Sequence, residues 1–392
     1  MPSPFRKPRL PSHYYVWAEP PDESGDEALH FVSERRSVKL KGHSFREFQQ
    51  LVVPLLDGRH LLADIQNAVH ERFQPQDLAE CLQLLEAQNL IEEGDNGLEG
   101  EAAQRMMPQL NFFHETTGRT EEMHRRLAQA TVTIIGLGGP GAALARSLAA
   151  AGVGTLRCVD ANPVQEADVY LSSAFQLRDA GRSRARVVQQ ALGDCAPQVK
   201  VQACEQPMDS DDEVRNAIAG SDFVVSCLDA GQSNLAYKLN RACLAVGLRW
   251  TSVALSGAEV ILGPTVHPFD GPCYLCYRMR SVACSANPED AFAFERHLDR
   301  RKQDDSGRRE NLVFGAGLAA NLLGLETLKE LTGLAEPAAT GRIIVLNMLD
   351  LTLSRHVVLR KPWCPACFRR EPQEPSKSPD GPLAAGQKNH AH

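Results

Sequence analysis

The sequence has no apolar run near the roughly 18 residues that a membrane-spanning helix needs. Its opening stretch, MPSPFRKPRLPSHYYVW, carries basic residues without the apolar core of a secretory signal. Both absences predict a cytoplasmic protein that does not insert into membranes. Positive charge is not in excess either: 42 Lys and Arg against 49 Asp and Glu leave a formal net charge of −7, which argues against general nucleic-acid binding. No internal repeat is visible, and the histidines form no cluster. Eleven cysteines, an odd number without an export signal, point away from a disulfide framework and toward reduced thiols. What is present is an ordinary globular composition, 43% hydrophobic and 23% charged over 392 residues. That length suits two or three domains.

Organisation changes along the chain. Residues 29–41, LHFVSERRSVKLK, end in an alternation of Val38 and Leu40 with Lys39 and Lys41, the period of a half-exposed strand. Ser44 is placed to cap a helix carrying Phe45, Phe48, Leu51 and Val52 on one face. A second amphipathic helix follows near Leu61 to Phe73, and a third, led in by Pro75, carries Leu78, Leu82 and Leu85. Strands followed by three short helices predict a small winged-helix-like unit over residues 1–95. Residues 96–127 turn polar around LNFF at Leu110 to Phe113 and read as a linker with an anchoring segment. From residue 128 to 370 the pattern becomes strand, glycine turn, helix, strand, the start of a doubly wound parallel α/β sheet. Residues 284–310 are charge-rich and read as a mobile crossover, and the Pro- and Gly-rich tail, 371–392, as disordered.

Two motifs carry chemistry. In Gly136-Leu-Gly138-Gly139-Pro-Gly141 the glycines let backbone approach a phosphate closely, and the next helix points N–H groups at the anion. Asp160, ending the following strand, is placed to take ribose hydroxyls. The second motif is the pair CYLC at Cys273/Cys276 and CPAC at Cys364/Cys367. Two such knuckles complete a tetrahedral four-thiolate site, so structural zinc is the expected ligand. A redox CxxC and a [4Fe–4S] cluster are the rival readings. Neither motif opens a helix in a thioredoxin-like βαβ, however, and the flanking Pro272 and Pro365 suit rigid knuckles.

IIGLGGPGAALARSLAAAGVGTLRCVDAN resembles the adenylating domain shared by ThiF, MoeB and the ubiquitin-activating enzymes. The resemblance implies an ATP site, a magnesium-binding Asp and activation of a peptide C-terminal carboxylate as an acyl-adenylate. Asp229, in VVSCLDAG, stands where the magnesium Asp belongs, and Asn240 and Cys243 in LNRACL echo the family. Other positions depart from it. After the ribose Asp the family pattern has an acidic residue two further on, an Asn, an Arg-Gln pair and a Lys after Gly. This chain offers Asn162, Asp168, Leu171-Ser172 and Arg184. Leucine cannot hold a phosphate, Asp168 would repel one, and Arg184 keeps the charge but not the compact point donor of lysine. ATP and magnesium are therefore not favoured as cofactors. Cys284 reads as an ordinary exposed thiol rather than a thioester-forming one, since no His or Arg stands beside it in sequence.

GPTVHPFDGPCYLCYRMR is similar to the segment before the first zinc knuckle in the leader-binding partner proteins of thiazole/oxazole-modified microcin (TOMM) cyclodehydratases. That resemblance implies a ThiF-like domain without ATP chemistry, a YcaO protein that performs azoline-forming cyclodehydration, and an N-terminal winged-helix RiPP recognition element like the small PqqD protein. Residues 10–95 resemble such an element, including LLDGRHLLADI. The third helix, PQDLAECLQLLEAQ, has no Arg or Lys for a nucleic acid. A peptide added as a strand beside Arg35, Arg36, Val38, Lys39, Leu40 and Lys41, with its side chains against Leu78, Leu82 and Leu85, fits better. The expected partners are a precursor leader peptide, a YcaO protein and, as a further candidate, a second copy of the chain. A self-sufficient adenylating enzyme is the alternative, and Leu171-Ser172 in place of Arg-Gln discriminates the two.

Overall fold

Alternation governs the first unit. The computed structural model describes residues 5–94, 100–228, 232–300 and 312–368. Asp229 and the tail from Glu371 lie outside them. A short strand β1 (Pro8–Arg9) precedes an antiparallel meander of β2 (Tyr15–Glu19), β3 (Glu27–Val32) and β4 (Ser37–Gly42), in spatial order β2-β3-β4. Leu29 and Phe31 of β3 are buried, and Val38 and Leu40 of β4 pack on the same core, while Lys39 and Lys41 face water. Three helices follow, α1 (Phe45–Leu51), α2 (Leu62–Val69) and α3 (Pro75–Ala87), and close the core with Phe48, Ile65, Leu78, Leu82 and Leu85. Ser44 stands at the N-cap of α1 but in the left-handed region, φ 61°, and its side chain makes no capping bond.

The expected linker is a helical hairpin. β5 (Glu92–Glu93) pairs with β1, and then α4 (Gly100–Thr117) and α5 (Thr120–Gln129) run through most of residues 96–127. Phe113, Met123 and Leu127 are fully buried in the core of the α/β body, so packing overrides the polar composition of this stretch. A polar joint ties the hairpin to the first unit. Glu92 accepts hydrogen bonds from His114 Nδ1 at 2.9 Å and Thr120 Oγ1 at 2.6 Å and is paired with Arg9. Burial pushes the Glu92 carboxyl up, but His114, Arg9 and Thr120 outweigh it and hold the group below its ordinary value.

The α/β body is built on β6 (Thr131–Ile135), α6 (Gly139–Ala150), β7 (Thr155–Val159), α7 (Glu166–Leu171), α8 (Arg184–Cys195), β8 (Lys200–Cys204), α9 (Asp211–Ile218), β9 (Phe223–Ser226) and α10 (Ser233–Val246). It continues through β10 (Trp250–Ser256), β11 (Glu259–Leu262), α11 (Tyr274–Ala283), α12 (Pro288–Arg300), α13 (Val313–Thr332), β12 (Arg342–Asn347) and β13 (Leu353–Val357). The eight strands lie in the order β13-β12-β11-β10-β9-β6-β7-β8. β10, β9, β6, β7 and β8 run parallel, whereas β11, β12 and β13 are joined by antiparallel ladders. The sheet is thus mixed rather than wholly parallel. α5, α6, α8 and α13 bury one face, and α9, α10 and the paired cysteines bury the other. α12 occupies part of the expected crossover, which is therefore helical over Pro288–Arg300. Among the described residues, no helix is long and apolar enough to cross a membrane.

Candidate functional site

The glycine turn is set by contacts inside the protein. Gly136 has φ 87°, and a Cβ there would meet the Cys227 carbonyl oxygen at 2.6 Å, while one on Gly141 would sit 1.9 Å from the Gly136 oxygen. Only glycine allows β6 to turn this tightly past the end of β9. Gly138 is the N-cap of α6, and Gly139 opens it. A Cβ on Gly139 would stand 3.1 Å from the Leu171 Cβ. The residue that replaces the family's arginine therefore lies against the loop that would cradle a phosphate.

The charges behind the loop are already matched. Arg184 Nε donates to Asp168 Oδ2 at 2.8 Å and Nη2 to Oδ1 at 2.9 Å, a bidentate fork, while Nη1 reaches Asp160 Oδ2 at 3.3 Å. Asp160 also accepts the N–H groups of Leu137 and Asn162, each at 2.8 Å. All three side chains are buried. Asp168 is placed by the first turn of α7, where it accepts the Gln165 N–H at 2.8 Å in a capping box. Among the described residues, the guanidinium behind the loop is thus committed to two carboxylates before any triphosphate arrives. Arg184 does not offer a triphosphate the cation that the resemblance places there, and Asp229, the magnesium candidate, lies outside the described residues.

The four cysteines converge as expected. Cys273, Cys276, Cys364 and Cys367 are buried, and their sulfurs all lie within 4.8 Å of one another. Neighbouring sulfurs are 3.6–3.9 Å apart, too far for disulfides. A tetrahedral zinc with bonds of about 2.3 Å would hold its sulfurs about 3.8 Å apart, so the residues present fit the metal. Hydrogen bonding from Cys273, aided by the Lys361 N–H, pulls the Cys276 thiol down to about 4 and pushes the Cys273 thiol far up in turn. The knuckles join α11 to the chain after β13. Buried Asn240 on α10 fixes the first of them by accepting the Tyr274 N–H at 3.1 Å. This role was invisible in the sequence, where Asn240 stood out only as a family echo.

At the N-terminal unit, β4 is hydrogen-bonded to β3 on one side only. The Ser33–Arg36 bond closes the hairpin, and alternation along the ladder turns the N–H groups of Ser37, Lys39 and Lys41 toward the open edge. Arg35 is exposed in the turn, and Arg36 hydrogen-bonds Tyr14. Glu115 of α4 braces the same hairpin by accepting from Ser33 Oγ at 2.9 Å and by its contact with His13 Nε2 at 2.8 Å. The apolar wall expected on α3 is a correction. Leu78, Leu82 and Leu85 face their own core with about 1% exposure or less, and the exposed leucine of α3 is Leu84. Helical period alone does not tell a docking face from a core face.

A Rossmann-like α/β body with a tight glycine turn and a paired-knuckle cluster of four cysteines that fits zinc defines the class. The ThiF family profile matches residues 108–366, two thirds of the chain, and the chain belongs to that family. A sulfur carrier protein adenylyltransferase of Thermus thermophilus is 27% identical over 252 residues, 63% of this chain and 85% of that protein. The sulfur carrier protein ThiS adenylyltransferase of Escherichia coli is 28% identical over 252 residues, 62% of this chain and 88% of that protein. Among solved structures, E. coli MccB with MccA-N7isoASN superposes with a TM-score of 0.64 at 15% identity, covering 92% of this chain and 99% of that one. The shared fold thus extends beyond the family-matched region.

Proposed function

We propose that this protein binds the leader of a ribosomally made precursor peptide and presents it to a YcaO protein for azoline-forming cyclodehydration, with the ThiF-like body as scaffold. The observation that carries the reading is the open edge of β4. Its inward side chains seal a core while its outward N–H groups stay unpaired, a standing template for an added strand. In this reading residues 1–95 are a winged-helix RiPP recognition element. Arg35, Lys39 and Lys41 beside the edge favour an acidic leader. MccB, the microcin C7 biosynthetic enzyme, has been solved with N-formylated MccA, which supports a peptide as the partner. The Asp168–Arg184 pair and Leu171 support a non-catalytic role for the glycine turn. A second copy of the chain belongs to the proposal as well, with the exposed outer strand β13 as the candidate contact.

ATP-dependent adenylation of a peptide or carrier is the second reading, favoured by the names of the relatives and by the intact glycine turn. Pyrophosphate exchange separates the two. The purified chain with a peptide substrate is expected to show none, and robust exchange would establish the adenylating enzyme instead.

A further inference from the structure

A cavity of about 830 Å3 lies between α10, α11, α12 and the turn of the second knuckle, inside the range of roughly 300–1,000 Å3 usual for ligand sites. It is separate from the glycine turn and from β4. Leu275, Met279, Phe292, Pro365 and Ala366 give it an apolar lining, and Phe292 is 46% exposed. The charges around it are unevenly matched. Glu295 is paired with Arg278 and accepts the Tyr237 hydroxyl at 3.3 Å, and Asp299 accepts the Asn234 N–H at 3.4 Å. Arg241 is held by Asp211 at 2.9 Å. Arg296 and Arg300, four apart and hence on one face of α12, line the cavity and make no ion pair among the described residues. Glu295 is therefore neutralised, and Arg296 and Arg300 outnumber Asp299, the lining acid without an ion pair among the described residues, so the open charge is positive.

We propose that this cavity is a second peptide site, taking a short apolar segment that carries acidic side chains, supplied by the same precursor peptide beyond its leader. The apolar lining takes the side chains, and Arg296 and Arg300 take the carboxylates, with Arg–carboxylate forks giving direction to the bound segment. The source of the segment rests on the peptide-binding function proposed above. Leu275 of the first knuckle and Pro365 and Ala366 of the second set one wall, so the site depends on the two knuckles staying together.

The test is calorimetric titration of acetyl-Asp-Leu-Phe-Glu-Leu-amide, and of its counterpart with Lys for both acids, into the full zinc-loaded chain. The acidic peptide is expected to bind about tenfold more weakly after Arg296→Glu with Arg300→Glu, and the lysine peptide not to bind the parent chain. Met279→Glu, which puts a charge into the apolar lining, is expected to abolish binding with metal content and circular dichroism unchanged. Equal affinity for parent and charge-reversed chains, equal binding of both peptides, or no binding of either would overturn the site. Lys39→Pro in β4 is expected to lose the leader and keep the probe. In the parent chain, a leader that binds β4 with no probe binding removes this cavity alone, whereas a probe that binds while the parent chain takes no leader overturns the precursor as its source.

Discussion

Arg184 is the residue on which the nucleotide question turns. Buried between Asp168 and Asp160, it cannot be removed without leaving two carboxylates unpaired in the interior. Arg184→Ala is therefore expected to cost about 3–5 kcal/mol in denaturant unfolding. A loss below 1 kcal/mol would show that the cluster is wetter than its burial implies. The complementary change opens the site. Asp168→Asn with Leu171→Arg leaves the guanidinium with Asp160 as its one carboxylate partner among the described residues and adds a second cation beside Gly139, so magnesium-ATP should bind this variant measurably in a titration and the parent chain not at all. Sequence spacing placed Asp160, Asp168 and Arg184 in one neighbourhood but not in one fork. That required α7 to begin at Glu166, where the capping box turns Asp168 inward. Asn240 was likewise legible as a family echo and not as the cap of α11, because its partner lies 34 residues away.

At the scale of elements, the segments at residues 199–203, 223–227, 250–253 and 343–347 read as buried strands in the sequence, and β8, β9, β10 and β12 overlap them. β13 was not legible, since all five of its residues are exposed and its sequence, LSRHV, shows no apolar face. α4 and α5 were hidden by their polar majority, although Phe113 and Met123 bury completely. The joint they make with β5 is pH-sensitive in a definite direction. Because Glu92 is held below its ordinary value, it contributes stability that is full above its unfolded pKa of about 4.3 and is lost as pH falls through the lower folded value. The difference in melting temperature between the parent chain and Glu92→Gln should therefore be largest near neutrality and shrink toward pH 3. A difference that stays constant with pH would assign the effect to shape rather than charge.

For the whole molecule, the four-cysteine cluster clasps α11 to the chain after β13. Cys273 and Cys276 lie 91 residues before Cys364 and Cys367, so zinc would close a long loop as well as satisfy four thiolates. Elemental analysis should find one zinc per chain. Cys364→Ser should release it and lower unfolding stability by several kcal/mol, since the binding energy of a structural zinc is folding energy. The pairing was readable from spacing alone because CxxC fixes both thiolates on one turn. The peptide edge was readable only in part: the alternation at Val38 to Lys41 located the strand, but which side of α3 faces outward depended on packing. The central claim, that this chain is a peptide-recognising scaffold, rests on that edge. Its most direct test is calorimetric titration of the leader of a precursor peptide encoded beside its gene into the full zinc-loaded chain, in the absence of ATP, with Lys39→Pro as the comparison. Proline at Lys39 removes one outward N–H without touching the ladder to β3. The account predicts saturable one-to-one binding that weakens with salt and is lost in the variant. Binding left unchanged by Lys39→Pro, or binding that appears only when ATP is added, would contradict it.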